Sequence, residues 1–229
     1  MAFPSKNISE YAKLTLEQLA THQLGAKLSL GGAFGLLHYL DYRPTHDVDA
    51  WWLSETTSAE QEAVLAVVEE ALAQFGEVKR RAWGDVVSVE LRQEERVIFS
   101  FQIAHRSVQL QPSTSAGWAD VLLDSLIDLI ASKMVALVER GAPRDFRDIY
   151  QVCYENLATP IQCWQWWEQR QALAGSDADH YRARLAVETH LVRIAQHRPL
   201  DQIADAEQRE VAQQVRTWFQ SEFLDALSN

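Results

Sequence analysis

Strand-like sequence stops at Pro112-Ser113-Thr114-Ser115-Ala116-Gly117, and that stop constrains the fold more than any other feature of the chain. Turn-forming residues cluster there, and beyond them apolar residues recur with a helical period only. The reading is an α+β protein: a core with a small mixed sheet and flanking helices over residues 1–112, and a helical bundle over residues 113–229.

In the first half, residues 9–24 place Tyr11, Leu14, Leu16, Leu19 and Ala20 at helical spacing behind a serine cap. Lys27-Leu28-Ser29-Leu30 reads as a short strand that runs into Gly31-Gly32, and residues 33–40 read as a buried helix. A proline-containing loop leads to Asp47-Val48-Asp49-Ala50-Trp51-Trp52-Leu53, a strand with its carboxylates on one face. Residues 58–75 form an amphipathic helix in which Ser58 and Gln61 have capping-box spacing and Gly76 is the stop. Residues 86–91 and 97–104 are β-rich runs joined by a polar stretch, a hairpin pattern.

In the second half, residues 120–140 are apolar on most faces and read as a central helix. Pro143 suits a first helical turn, and helices are expected to about residue 157 and over residues 160–173, 179–196 and 201–226.

Composition narrows the function classes. The 229 residues are 47% hydrophobic and 23% charged, enough for a real core, and the net charge is −11. A nucleic-acid partner therefore has to meet a local basic patch, and no element for reading DNA sequence is expected. Lys79-Arg80-Arg81 with Arg92, Arg96 and Arg106 either forms that patch or is a solvated face. Cys153 and Cys163 are too few for a disulfide framework and read as free thiols in a reducing compartment. The first residues lack a basic region followed by an apolar stretch, and no run approaches the ~18 apolar residues of a membrane span. A cytoplasmic protein with no membrane partner is expected.

Two features carry chemistry. Alternate residues of a strand share a face, so Asp47 and Asp49 present two hard oxygen donors together, a donor set for Mg²⁺ or Mn²⁺. Gly31-Gly32, between a strand and a helix, is either a tight turn or a place where bare backbone meets a phosphate. Lys133 lies on an otherwise apolar helix, so its ammonium either reaches water along its stem or meets an anion. Arg140, seven residues on, shares its face and favours one anionic partner for both. Arg144 and Asp148 have the spacing of an ordinary helix ion pair.

Leu30-Gly31-Gly32-Ala33 followed by Arg43-Pro44-Thr45-His46-Asp47-Val48-Asp49 resembles the glycine-pair and Arg-x-Thr/Ser-x-Asp-x-Asp pattern of the AbiEii/AbiGii toxin family, within the DNA-polymerase-β-like nucleotidyltransferase superfamily. Asp128-Leu129-Ile130-Ala131-Ser132-Lys133 with Arg140, then Arg144-Asp145-Phe146-Arg147-Asp148, is similar to that family's lysine-bearing helix and its Arg-Asp-x-x-Asp helix. The resemblance covers residues 25–155. It implies catalytic Asp47, Asp49 and Lys133, with the two aspartates as metal ligands. Gly31, Gly32, Arg43, Thr45, Arg144 and Asp148 would be nucleotide-binding. The implied reaction moves a nucleoside monophosphate from an NTP to an acceptor hydroxyl, with RNA such as tRNA as acceptor and a cognate antitoxin as partner.

One departure stands out. The superfamily usually adds a third carboxylate from a neighbouring strand, and Phe99-Ser100-Phe101-Gln102-Ile103 has Gln102 there. Glu90 on the preceding strand is either a substitute or an ordinary outward-facing glutamate. The departure keeps open a catalytically impaired relative that acts as a nucleotide-binding or protein-interaction module. Transfer to a protein side chain is a third reading, and it suits the acidic charge.

Overall fold

A computed structural model describes residues 8–227, so the reading of the first residues as leader-free lies outside the described part. In chain order the elements are α1 (Glu10–Thr21), β1 (Leu28–Leu30), α2 (Gly32–Leu36), β2 (Asp47–Trp52), α3 (Ser58–Ala73), β3 (Glu77–Trp83), β4 (Val86–Gln93), β5 (Arg96–His105), β6 (Thr114–Ser115), β7 (Leu122–Leu123), α4 (Leu126–Glu139), α5 (Pro143–Tyr154), α6 (Pro160–Leu173), α7 (His180–His197) and α8 (Ala206–Trp218). The chain divides into two compact units between Leu129 and Ile130, partway along α4.

The first unit is built on a seven-stranded mixed sheet in the order β3-β4-β5-β2-β1-β7-β6. β2 runs parallel to β5 and antiparallel to β1, so the central strand is paired on both sides. The period of two sorts its side chains. Val48, Ala50 and Trp52 of β2, Phe99, Phe101 and Ile103 of β5, and Val89 and Leu91 of β4 enter one core with Leu16 and Leu19 of α1 and Val64 and Val68 of α3. The opposite face keeps the polar residues.

Several local details depart from the sequence reading, each for a physical reason. The cap of α3 is Thr57 with Glu60, one residue earlier than Ser58 with Gln61: Thr57 Oγ1 accepts the Glu60 N–H and the Glu60 carboxylate accepts the Thr57 N–H. β3 is a strand that periodicity does not show, because an edge strand pairs on one side only and its charged Lys79-Arg80-Arg81 hides the alternation. Helix α2 ends at Leu36, where its turns tighten: His38 N–H donates to the Gly35 carbonyl and Tyr39 N–H to that of Leu36.

The region after Pro112 is not purely helical. Leu122 and Leu123 join the sheet as β7, parallel to β1, and Thr114 and Ser115 pair with them. The central helix begins only at Leu126, because Ser125 Oγ accepts the Asp128 N–H and donates to its carboxylate. Buried Asp128 also accepts the N–H groups of Leu110 and Gln111 and so ties the incoming loop to the helix start.

The second unit is helical throughout its described residues. Phe146, Trp164, Phe219 and Phe223 form an aromatic core, with Phe219 4.7 Å from both Phe146 and Phe223. The expected final helix is broken: a 3₁₀ turn at Leu200–Gln202 precedes α8, whose cap is Asp205, and Phe219–Phe223 forms a π segment. Among the described residues no helix is long and apolar enough to cross a membrane.

Candidate functional site

The register of the sheet assembles the polar face residue by residue. Directly opposed residues in neighbouring strands point the same way, so Asp47 of β2, Ser100 of β5, Glu90 of β4 and Lys79 of β3 form one row. Asp49, Gln102, Ser88 and Arg81 form the next. Asp47 and Asp49 therefore emerge together, ~6.6 Å apart along the strand.

Hydrogen bonds fix the first row. Ser100 Oγ donates to Asp47 Oδ1 at 2.7 Å, and Gln102 Nε2 donates to Ser100 Oγ at 3.2 Å. Ser100 is buried, so its bond sets the Asp47 carboxylate in one orientation. Apart from its alternation with Phe99 and Phe101, nothing local in the sequence marks Ser100, because its relation to Asp47 depends on a parallel pairing across 53 positions. In the second row Ser88 is 1% exposed and, among the described residues, its Oγ has no hydrogen-bond partner.

The glycine turn closes one end of this face. Gly31 N–H donates to the Asp49 carbonyl at 2.8 Å, extending the β1–β2 ladder by one bond. Gly32 adopts φ +56°, and a Cβ there would meet the Asp49 side chain, 2.6 Å from its Cγ. A Cβ on Gly31 would meet the indole of Trp51. Both glycines are thus required by what lies on β2, and the bare backbone stands directly beside the Asp49 carboxylate.

Thr45 sits at the strand entrance, where its hydroxyl donates to the Asp47 carbonyl at 3.3 Å. Arg43 lies 5.6 Å from the Tyr42 ring centroid and donates to the Pro44 carbonyl. On the far side of Trp51, the Arg106 guanidinium lies 5.6 Å over the ring and pairs with Asp124, which also accepts from Ser29. Burial pushes the Asp124 carboxyl up from its ordinary range, and the Arg106 contact works against that shift. This buried cluster has no local signature in the sequence, since its members come from β1, the loop after β5 and the segment before α4.

Gln102 faces Asp49 across the β2–β5 pair. Glu90 lies two strands from β2, about 10 Å by strand spacing. Its carboxylate is held by Arg81 at 3.2 Å and Arg92 at 3.4 Å. The basic patch is likewise divided. Arg80 points to the opposite face and binds Glu62 and Glu69 of α3, while Arg106 serves Asp124.

In the second unit, Lys133 Nζ lies 2.7 Å from Asp148, and both side chains are buried. The alternatives left open for this lysine resolve to an anion, supplied by the protein itself. Arg140 binds a second carboxylate, Asp145, through two bonds of 2.8 and 2.9 Å. The ordinary Arg144–Asp148 pairing gives way to the Lys133 contact, and Arg144 is exposed. Asp145 also accepts the Ala142 N–H at the start of α5. Two carboxylates one turn apart on α5 thus clamp Lys133 of α4 and Arg140, the residue just after that helix.

No match was found among curated proteins. Among solved structures, the chain is similar to an antigenic nucleotidyltransferase-like protein from Paracoccidioides brasiliensis, at 12% identity and a TM-score of 0.44, over 93% of this chain and 95% of that one. The family model described as nucleotidyl transferase AbiEii toxin, type IV TA system, matches residues 14–227. That match takes in both units, extending well beyond the region in which the sequence motifs lie, and the chain belongs to the AbiEii nucleotidyl transferase toxin family of type IV toxin–antitoxin systems.

Proposed function

We propose that the chain transfers a nucleoside monophosphate from an NTP to an acceptor hydroxyl, in a metal-dependent reaction, as the cytoplasmic toxin of a toxin–antitoxin pair with RNA such as tRNA as acceptor. The observation that carries this reading is the Asp47/Asp49 pair, with Ser100 orienting Asp47 and bare glycine backbone against Asp49.

The donors suit a hard divalent cation that is shared with substrate. Among the described residues no group of three or more His, Cys, Asp or Glu is placed to hold a metal alone. Mg²⁺ is commonly bound by one or two carboxylates together with substrate phosphates, which matches an aspartate pair on one strand face with glycine backbone beside Asp49. Asp47 and Asp49 would hold Mg²⁺ or Mn²⁺, which when bound neutralises phosphate charge and favours an ionised acceptor hydroxyl.

The chain's own residues supply positioning and charge. Gly31 and Gly32 let the triphosphate approach the backbone, and Thr45 and Arg43 line the entrance to β2. Lys133, held by Asp148, would neutralise the departing pyrophosphate, with Arg144 as a further phosphate contact. The acceptor oxygen forms its bond to the α-phosphorus as the bond to pyrophosphate breaks. Gln102 cannot take the acceptor proton, so that task falls to the aspartate pair.

Gln102 opposite Asp49 also favours a second reading, a relative that binds nucleotide or a protein partner without turnover. Thermal unfolding with each NTP, with and without Mg²⁺, separates the two when followed by transfer of labelled nucleotide to RNA or protein. A ligand at a hundred times its Kd stabilises by about 2.7 kcal/mol. The transferase reading requires a metal-dependent shift that Asp47→Ala/Asp49→Ala abolishes, together with labelled acceptor. A shift without labelled acceptor favours the binding module, and no shift with any NTP overturns both nucleotide readings.

A further inference from the structure

The sequence holds two cysteines, and the fold brings them together. Cys153 lies at the end of α5 and Cys163 in the first turns of α6, and their sulfur atoms are 3.8 Å apart. That is van der Waals contact, whereas a disulfide requires about 2.0 Å between sulfurs. The two differ in access. Cys163 is fully buried beside Trp164. Cys153 is half-buried and lines an open cleft of 690 Å³ together with Tyr150, Tyr154 and Trp218. One cysteine thus lines an open cleft, and the other is buried with its sulfur 3.8 Å from the first.

Core packing alone does not require this arrangement. A buried cysteine behaves as a small apolar side chain, which accounts for Cys163. It does not account for a second sulfur placed against the first at the wall of a cleft, in a chain with no other cysteine.

We propose that Cys153 and Cys163 form a dithiol modification site at which a small hydroperoxide produces an intramolecular disulfide between α5 and α6. The order of events follows from access. The Cys153 thiolate attacks the terminal oxygen of the hydroperoxide, the O–O bond breaks, and with hydrogen peroxide the products are the Cys153 sulfenic acid and water. The Cys163 sulfur then attacks the Cys153 sulfur, the S–O bond breaks, and the hydroxide leaves as water with the Cys163 proton. In total two thiols and one peroxide give one disulfide and two waters. Cys163 is unsuited to the first step, because its hydrogen-bonding contact with Cys153, together with burial, pushes its thiol well up. The product fixes α6 to α5, the helix that carries Asp145 and Asp148.

The test uses the full chain, reduced, freed of reductant, exposed to hydrogen peroxide, alkylated under denaturing conditions and digested with trypsin. Cleavage after Arg147 and Arg170 leaves both cysteines on the peptide 148–170. The expected product is that peptide without alkylation and lighter by two hydrogens, returning to the doubly alkylated form after dithiothreitol. In Cys163→Ser, Cys153 is expected to accumulate as a sulfenic acid that dimedone traps. In Cys153→Ser, Cys163 is expected to stay a thiol. Disulfide-linked dimers, a wild-type Cys153 that dimedone traps while Cys163 stays alkylatable, or two thiols that persist through tenfold excess peroxide would each overturn the proposal.

Discussion

Gly32 and Asp49 occupy space that admits no third atom group between them: a Cβ on Gly32 would lie 2.6 Å from the Asp49 Cγ, and the residue sits at φ +56°. Gly32→Ala should therefore cost about 1–3 kcal/mol from backbone strain plus the displacement of Asp49. Gly84 at φ +55° is the control, because a Cβ there would have nothing within 4 Å, and Gly84→Ala should lose only the backbone part, about 1–2 kcal/mol. Urea denaturation of the two variants measures the difference.

Lys133 and Asp148 form a buried ion pair, so removing one charge takes a close counter-ion from the other. Lys133→Met should destabilise the chain by about 3–5 kcal/mol, and Lys133→Met/Asp148→Leu should recover most of the loss. Arg140→Gln should cost less, because the Arg140 side chain is 53% exposed and water compensates on one side. A double-mutant cycle in guanidinium chloride reads these values.

His38 is buried, with Nε2 accepting from Trp118 Nε1 at 3.0 Å and Nδ1 donating to the Phe34 carbonyl at 3.0 Å. Burial holds its pKa below the ordinary 6.5. The unfolded chain then takes up this proton first as pH falls, so the His38 contribution is full above pH 6.5 and declines below it. The decline is limited to about 1.4 kcal/mol per pH unit. Between pH 7.5 and pH 5 the melting temperature of wild type should fall more steeply than that of His38→Gln, which keeps a donor and an acceptor but does not titrate.

Gln102→Glu would add a carboxylate directly opposite Asp49. Without metal, a third carboxylate beside Asp47 and Asp49 should lower the melting temperature. With Mg²⁺ the same variant should gain more than wild type gains, and the midpoint of the metal titration should fall. An equal Mg²⁺ response in both proteins would mean that position 102 adds no ligand to the cation, and no response in either would mean that this face takes no divalent cation.

The strand with Asp47 and Asp49 is legible in the sequence, together with the glycine turn beside it and the helices at Pro143 and Pro160, because each is written locally in period, glycine or proline. Ser100 and its bond to Asp47 are not legible, since the register of two parallel strands is set by a distant pairing. β3 escapes because an edge strand can satisfy its exposed positions with charge. Leu122 and Leu123 read as helix since a continuous apolar run fits either structure, and only the Ser125 cap shows where the helix starts. Asp148 reads as the partner of Arg144 on the same helix, whereas the fold gives it a lysine from another.

As the outermost strand next to β4, β3 leaves one row of backbone N–H and C=O groups without a neighbouring strand among the described residues, the kind of edge on which a second polypeptide can lay itself down. Three consecutive basic residues run through its middle, and Arg80 is anchored over α3 by Glu62 and Glu69. A like strand approaching this edge would bring its own cations against these, so the same residues that conceal β3 from a periodicity reading guard the sheet against growing by self-addition.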